Sequence, residues 1–191
     1  MDTQIVLETE RLILRPFVES DAESLHRVFS DPVAMKHYPS PLDLEGTRAW
    51  IERNQKRYEE DGVGLWAMVR KVTGSVIGDC GLTIQSVEGT GELEIGFHVL
   101  RTLWGRGFAT EAATACRDYA FEVLERDRVI SWMCPRNIPS RYVAERIGMS
   151  FEKEVINATG AERVVYALSR EQWGRLTAER STDACDNVLN L

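Results

Sequence analysis

A glycine-rich turn between an apolar run and a long helical segment is the feature that most restricts what this chain can fold into. The apolar run covers Leu93 to Leu100, and the helical segment covers Phe108 to Glu125. The stretch between them, Trp104-Gly-Arg-Gly-Phe-Ala-Thr-Glu111, has two glycines one residue apart, followed by small residues. Such a turn can point several backbone N–H groups in one direction, and the helix that follows adds its positive end. The stretch therefore predicts a binding site for a phosphate-like anion.

The remaining hydrophobic periodicity predicts alternating strands and helices around this stretch. We expect strands at residues 5–15, 65–70, 75–84, 92–100, 128–133, 150–156 and 163–168. We expect helices from a Ser20-to-Glu23 capping box to the residue before Asp31, from an Asp43 cap to about Glu60, at residues 108–125, and from Pro139 to Gly148. This order favours a mixed α+β fold with a central, mostly antiparallel sheet.

Two further local expectations follow from the same patterns. The small and acidic residues from Ser86 to Gly91 predict a loop. The helix after the glycine turn is expected to bury one face, made of Ala112, Cys116, Tyr119, Ala120 and Val123.

Composition limits the possible partners of the chain. Its 191 residues are 43% hydrophobic, enough for one domain over residues 1–175, with a polar tail at 176–191 that we expect to be frayed or disordered. A net charge of −7 argues against a nucleic-acid partner. No signal-like segment and no apolar run of about 20 residues is present, so we expect a cytoplasmic protein without a membrane partner. Four unpaired-looking cysteines indicate neither a disulfide framework nor a metal site.

Several segments together resemble the GNAT superfamily of acyl-CoA-dependent N-acyltransferases. They are Glu94-Ile-Gly-Phe-His-Val-Leu100, Trp104 to Ala112, Asn137-Ile-Pro-Ser140 and Ile147-Gly-Met-Ser-Phe151. The opening Leu7-to-Pro16 segment and Asp31-Pro32-Val33 make the chain most similar to the RimJ/RimL-type branch, which acetylates protein N-terminal amines and includes members acting on small amines. The resemblance spans Leu7 to Trp173. It implies a sheet splayed between its fourth and fifth strands, helices on both faces, and a possible homodimer.

The resemblance implies that acetyl-CoA is the co-substrate and suggests which residues bind it. The pyrophosphate would lie on Gly105, Arg106, Gly107, Phe108, Ala109 and Thr110, the pantetheine arm beside Phe97, His98 and Val99, and Asn137 would also contact the cofactor. Family members usually have Gln or Arg where this chain has Trp104, but the contacts in question are mostly from the backbone. Each N–H to a charged phosphate oxygen contributes about 1.5–3 kcal/mol, so no lysine is required.

Acetyl transfer requires a neutral amine, and an α-amine with a pKa near 7.8 needs only a weak base. By likeness to family members that use a glutamate, we assign Glu94 as that base, with Glu92 in reserve. Ser140 resembles the serine that RimL-type members place near the thiol, whereas the tyrosine used by many others is replaced here by Ala144. The N–H of Val99 would polarise the thioester carbonyl.

These assignments leave alternatives open. Glu94 is equally explained as a solvated or salt-bridged strand residue, and Ser140 as a first-turn or capping residue. His98 fits packing or hydrogen bonding better than a base, and His26 and His37 are expected at the surface. Tyr38 and Trp50 would either pack in the core or line the acceptor pocket.

The sequence thus predicts an N-acetyltransferase that moves the acetyl group of acetyl-CoA to a primary amine by direct attack. The amine would be a protein N-terminal α-amine or a small molecule. The alternative is a non-catalytic acyl-CoA-binding sensor or interaction module. The acidic net charge would favour cationic acceptors, although net charge is weak support for a substrate, and by likeness residues 33–43 help to shape the acceptor side.

Overall fold

The computed structural model describes residues 5–178, which form one eight-stranded sheet with helices packed on it. The strands are β1 (Leu7–Glu8), β2 (Leu12–Arg15), β3 (Leu65–Arg70), β4 (Ser75–Val87), β5 (Thr90–Val99), β6 (Arg128–Met133), β7 (Ser150–Ile156) and β8 (Glu162–Ser169). The helices are α1 (Ala22–Phe29), α2 (Leu44–Glu60), α3 (Phe108–Glu122), α4 (Ile138–Arg146) and α5 (170–178). None of these helices has the length and apolarity needed to cross a bilayer.

The sheet is antiparallel except where β5 meets β6. Its strand order is β1-β2-β3-β4-β5-β6-β8-β7. The parallel pair β5 and β6 is in register only at Glu94 and Ile130, and the Ser131 hydroxyl donates to the Ile95 carbonyl one residue further along (3.1 Å). The first strand of the prediction is two strands in the structure, so β5 and β6 are the predicted fourth and fifth strands. The predicted α+β fold, with its mixed sheet splayed at this point, is confirmed.

Helices cover both faces of the sheet because side chains alternate along each strand. Trp66 and Met68 of β3 join a core cluster that includes Cys116 and Ala120 of α3. Leu65 and Ala67, from the opposite face of the same strand, join a cluster that includes Phe29 of α1 and Ile51 of α2. Strand β3 is buried on both faces, which agrees with its continuous apolar sequence, and the helical segments predicted around the sheet are present.

The prediction of a single first strand is wrong, because the chain turns between Thr9 and Arg11. Strands β1 and β2 pair with each other as an antiparallel hairpin, Leu7 opposite Leu14. The turn is held by Glu111 in the first turn of α3, whose carboxylate accepts from the Thr9 hydroxyl (2.6 Å), the Arg11 N–H (2.8 Å) and the Arg11 Nε (2.6 Å). A partner 100 residues away therefore ends a pattern that reads locally as one strand.

The predicted Ser20 capping box is also wrong. A 3₁₀ turn at Glu19–Asp21 precedes α1, and the Asp21 carboxylate accepts the Val18 N–H (2.9 Å) while pairing with Arg15. This buried ion pair replaces the expected serine cap. The Asp43 cap of α2 is confirmed, since its carboxylate accepts the Gly46 N–H at 2.7 Å.

The predicted loop at Ser86 to Gly91 is shorter than expected. Strands β4 and β5 run on to a two-residue turn at Glu88 and Gly89, whose φ angles of +50° and +83° are those of a tight hairpin turn. The extended pairing continues to Val87 opposite Thr90. Small and acidic residues therefore did not prevent strand pairing here.

The buried face of α3 differs from the predicted one at both polar and apolar positions. Ala112, Cys116 and Ala120 are buried as expected, whereas Val123 just beyond the helix is 61% exposed. Arg117 is 1% exposed; it pairs with Asp118 and donates to the Ile147 carbonyl at 2.7 Å. This buried arginine ties α3 to the end of α4.

Residues 176–178, the start of the predicted polar tail, belong to α5. Leu176 of this helix packs on the main core cluster, and the Trp173 indole N–H donates to Asp118 (2.8 Å). The rest of the predicted polar tail, from residue 179 onward, lies outside the described residues. The Trp173 ring also stacks on Phe121 of α3 (5.2 Å between ring centres), so apolar contacts hold the start of this segment on the fold.

Replacing Glu111 by glutamine should lower the free energy of unfolding at pH 7 by about 1–3 kcal/mol, because three hydrogen bonds lose a charged acceptor. Although burial raises the pKa of Glu111, the hydrogen bonds from Thr9 and Arg11 outweigh it and hold that pKa below its ordinary value. This stabilisation is present above the pKa of an unfolded carboxyl and is lost as the pH falls through the folded pKa. Denaturant unfolding should therefore show the wild-type advantage at pH 7 shrinking as the pH falls below the ordinary pKa of a glutamate carboxyl.

The matched control is Glu60→Gln, which removes only an exposed pair with Lys56 and should leave stability nearly unchanged. Equal stability of wild type and Glu111→Gln at pH 7 would contradict the assigned role of this carboxylate.

Candidate active site

Two clefts meet where β5 separates from β6. The first, of about 400 Å³, runs along the glycine turn, the end of β5 and the start of α4, and we call it the turn cleft. The second, of about 300 Å³, lies between α2, β4, β5 and the end of β6, and we call it the strand cleft. Six residues line both clefts: His37, Tyr38, Phe97, His98, Asn137 and Ser140.

The glycine turn has the geometry expected from its sequence. Gly105 and Gly107 adopt φ angles of +73° and +82°, which residues with a Cβ rarely adopt. Gly107 is the N-cap of α3 and has no side chain to accept a hydrogen bond, so the first N–H groups of the helix are left without a cap. Five of the six residues predicted to bind the pyrophosphate line the turn cleft: Gly105, Gly107, Phe108, Ala109 and Thr110.

Arg106, the sixth, lines neither cleft. Its carbonyl accepts a hydrogen bond from Arg11 (Nη1 to O, 2.9 Å), and the Arg11 guanidinium also lies 4.4 Å from the centre of the Phe108 ring. Arg11 thus contacts the turn, the first residue of α3 and Glu111. The hairpin that broke the predicted first strand is what fixes the glycine turn.

The exposed edge of β5 faces the turn cleft. The Leu100 N–H donates to the Ile77 carbonyl at the β4 side (2.8 Å), and backbone groups alternate in direction along a strand. The N–H and C=O groups of Phe97 and Val99 therefore point away from β4, toward the gap beside β6. The Val99 carbonyl there accepts the Trp104 indole N–H (2.7 Å), which leaves the Val99 N–H for a ligand. Trp104, which departs from the family pattern, thereby closes the end of the gap.

Asn137 and Ser140 lie at the start of α4, where both clefts meet. The Asn137 side chain is the N-cap and accepts the Ser140 N–H (3.4 Å). Capping uses the oxygen of this amide, and its NH₂ group makes no hydrogen bond within residues 5–178. Ser140 is half-buried in the first turn of α4, and its hydroxyl engages no other group within residues 5–178. Ala144, where other family members have a tyrosine, is fully buried.

Glu94 lines the strand cleft on the same face of β5 as Gly96 and His98. Its carboxylate accepts hydrogen bonds from the Thr83 hydroxyl (3.0 Å) and the Gln85 amide (2.8 Å). Burial raises the pKa of Glu94 above its ordinary value, against the opposing effect of those two hydrogen bonds and of His98. A carboxylate with a raised pKa in a cleft is a stronger proton acceptor than a free one.

Glu92, the reserve candidate, is arranged differently. It lines neither cleft and pairs with Arg128 (Oε2 to Nε, 3.0 Å), which also binds Glu152. A carboxylate held in this ion pair, outside both clefts, is not placed to take a proton from the substrate amine.

A chain of hydrogen bonds that the sequence did not reveal runs into the junction of the clefts. The Trp50 indole N–H donates to Asp79 Oδ2 (2.9 Å), Asp79 Oδ1 lies 2.7 Å from His98 Nδ1, and His98 Nε2 lies 2.6 Å from the Tyr38 hydroxyl. Asp79 is fully buried. In the sequence, Asp79 is a charged residue within an apolar strand, and this pattern does not indicate which side chains it contacts.

Tyr38 ends this chain at the place where the two clefts join. The residue as a whole is 42% exposed, but its hydroxyl lies against His98 Nε2. Burial of that hydroxyl, together with the nearby Glu94 and Asp79 carboxylates, raises the pKa of Tyr38 well above its usual range. The phenol therefore stays protonated at neutral pH. Tyr38 and Trp50 line the strand cleft, and Trp50 also packs against a core cluster.

The histidines expected at the surface are not fully exposed. His37 lines both clefts, and its Nε2 is buried without a hydrogen-bond partner within residues 5–178. Burial, with nearby Lys36 and Arg163, lowers the pKa of His37. His26 is half-buried, with Nδ1 at 3.3 Å from the Thr47 hydroxyl. Among the described residues, no three His, Cys, Asp or Glu side chains are grouped so as to hold a metal ion.

Comparison with known proteins agrees with this geometry. Residues 11–150 match the model of the acetyltransferase (GNAT) domain. YkkB of Bacillus subtilis is 36% identical over 156 residues, 81% of this chain and 91% of that protein. The protein p20 of Bacillus licheniformis, named as an N-acetyltransferase, is 35% identical over 150 residues, 78% of this chain and 83% of its own length.

Solved structures show the same fold. An acetyltransferase from Agrobacterium tumefaciens superimposes with a TM-score of 0.73 and 31% identity, covering 85% of this chain and 92% of that one. RimL, a ribosomal L7/L12 α-N-protein acetyltransferase solved in complex with coenzyme A, has a TM-score of 0.72 at 18% identity, covering 87% and 98%. RimL-type enzymes are thus among the structural neighbours.

The domain match covers most of the chain, relatives such as p20 are named as N-acetyltransferases, and the splayed sheet carries the glycine turn at its gap. The chain therefore belongs to the GNAT family of acetyltransferases.

Proposed function

We propose that this acetyltransferase transfers the acetyl group of acetyl-CoA to a primary amine by direct attack of the bound amine. The observation that carries the proposal is the meeting of two clefts at the free edge of β5. One cleft has the glycine turn at its side, and the other contains the Glu94 carboxylate. Acetyl-CoA in the turn cleft and the amine in the strand cleft would then meet beside Phe97 and His98.

The turn cleft offers the groups that acetyl-CoA requires. Uncapped N–H groups at the start of α3 suit its diphosphate, and the unpaired edge of β5 suits its amide-containing arm, which can pair as an added strand. The Val99 N–H is a donor for the thioester carbonyl. The cofactor supplies the activated acetyl group. RimL, whose fold this chain shares, was solved with coenzyme A, which supports the same use of the cleft here.

The strand cleft offers a base for the acceptor. Attack by the amine forms a C–N bond and breaks the thioester C–S bond, so the amine must lose a proton and the thiolate must gain one. Glu94 is the carboxylate in this cleft, and its raised pKa suits removal of a proton from an α-amine, directly or through water.

Two hydroxyl groups are candidates for protonating the thiolate. Ser140 lines both clefts, as does Tyr38, whose hydroxyl is held by His98 and Asp79. The leaving thiol has a parent pKa of about 8.5 and needs only modest help. Its raised pKa makes the Tyr38 phenol a weak acid by itself, so we favour it as a relay, in which it gives its proton to the thiolate as His98 Nε2 returns one to it.

Replacing Gly105 by alanine should weaken acetyl-CoA binding by about tenfold or more. A Cβ disfavours the positive φ by roughly 1–2 kcal/mol and would redirect N–H groups worth about 1.5 kcal/mol or more each. Calorimetric titration measures this. Gly74→Ala is the matched control, since Gly74 also has a positive φ (+65°) and open space, but lies in the β3–β4 turn. Equal loss of affinity in both variants would contradict the proposed role of the turn.

Replacing Glu94 by glutamine should reduce kcat by about a hundredfold or more and leave acetyl-CoA affinity unchanged. In the wild type, kcat/KM should rise with pH through the raised pKa of Glu94, because only the carboxylate can accept a proton. That limb should be absent from the variant. Glu92→Gln, on the same face of the same strand, is the control and should retain activity. If Glu94→Gln is as active as the wild type, Glu94 is not the base; if no amine supports thiol release, the sensor alternative is correct.

Replacing Tyr38 by phenylalanine should lower kcat about tenfold or more, whereas Ser140→Ala should cost less than about threefold. Single-turnover measurement of thiol release with saturating acetyl-CoA separates this effect from binding. The reverse order of the two losses would assign the proton donor to Ser140 and reject Tyr38.

A further inference from the structure

The strand cleft carries an excess of positive charge in an otherwise acidic protein. The chain as a whole has a net charge of −7. The cleft, however, is lined by Arg53 and Arg57 from α2 and by Arg163 from β8, against the single carboxylate of Glu94. The charge beside the proposed base is therefore opposite in sign to the charge of the whole chain.

These three arginines lack the acidic partners that other arginines of the protein have. Within residues 5–178 none of the three lies within 4.0 Å of a carboxylate oxygen, whereas Arg15 and Arg128 are both paired. Arg53 lies over the Trp50 ring, 5.2 Å from its centre. Arg57 Nη1 is 3.5 Å from the Asn54 amide oxygen, and Arg163 donates to the Glu162 carbonyl at 2.9 Å.

Holding three guanidinium groups together with a single carboxylate is electrostatically unfavourable. Burial and the neighbouring Arg57 both lower the pKa of Arg53. Arg57 also acts on Glu94, whose pKa it lowers slightly against the larger effect of burial. The arginines and the carboxylate therefore share one space, in which an anion would relieve the repulsion between Arg53 and Arg57.

We propose that the acceptor is a small primary amine that also carries an anionic group, a carboxylate or a phosphate. The amine lies at Glu94 and the anionic group at Arg57, with Arg53 and Arg163 beside it. Arginine binds both anions through paired N–H groups. This inference rests on the proposed acetyl transfer and adds the substrate class to it.

The local charge outweighs the expectation from composition. Net charge had favoured cationic acceptors such as polyamines, but a polyamine in this cleft would meet three guanidinium groups. A volume of about 300 Å³ suits a molecule of the size of an amino acid. A peptide N-terminus would place an uncharged amide beside the arginines, where the proposed acceptor has its anionic group.

The test is a set of acceptor pairs that differ in the anionic group; because that group also changes the pKa of the amine, rates are compared per unit of neutral amine. Amino acids are compared with their amides, and phosphoethanolamine with ethanolamine, while spermidine represents the cationic class; thiol release from acetyl-CoA is measured for each. At least one anionic amine should exceed its neutral partner in kcat/KM by about tenfold to a hundredfold, the range of a charge-assisted contact. The carboxylate and phosphate arms identify which anion is bound.

Arg57→Gln should remove that preference by lowering kcat/KM for the anionic member of the pair much more than for the neutral one. If Arg57 served only to tune Glu94, both members would lose activity equally. Arg48→Gln is the matched control, because Arg48 lies on the same helix, pairs with exposed Glu19 and lines neither cleft. Arg163→Gln supplies a second variant on a different element of the fold.

The outcomes separate this inference from the proposed function. Equal use of neutral and anionic amines, a preference for spermidine, or acetylation restricted to peptide N-termini would overturn the inference and leave acetyl transfer intact. If no amine releases thiol, the proposed function fails. Calorimetry with the same anionic amines on the coenzyme A-loaded protein then tests the anion site by itself. Binding that is lost in Arg57→Gln supports the anion site, and no binding overturns it.

Discussion

The site depends on one interruption in the sheet. Strands β5 and β6 run parallel and pair at a single register position, Glu94 opposite Ile130. Beyond it, the backbone groups of Phe97 and Val99 have no neighbouring strand, and an unpaired strand edge is a ready template for a ligand. Both clefts open at this gap. A sheet that was paired along its whole length would have neither.

The two sides of the gap are held by contacts from distant parts of the chain. On one side, Arg11 of the first hairpin binds Glu111 at the start of α3 and donates to the Arg106 carbonyl. These contacts hold the glycine turn in place. On the other, buried Asp79 and His98 hold Tyr38 over the junction. Helix α2 adds Trp50 to the second network and Arg57 to the cleft. The edge that we propose binds the cofactor is thus held in place by hydrogen bonds from distant segments rather than by the strands that form it.

Local signals in the sequence were sufficient for much of this architecture. Strand β6 begins and ends where its apolar run does, the Asp43 cap starts α2, and paired glycines marked the turn. What failed depended on distant partners. Glu111 breaks the first predicted strand from 100 residues away, and Tyr38 meets His98 across 60 residues. The arginines of the strand cleft come from α2 and β8, which no local pattern brings together.

The most direct test of the account is to map amide chemical shifts by NMR as coenzyme A is titrated into the protein. The account predicts that the largest changes fall on residues 97–99 and 105–110, on the two sides of one gap. Changes confined to other surfaces, such as the outer face of β7, or no saturable change at all, would contradict the claim that the interrupted sheet and the glycine turn together bind the cofactor.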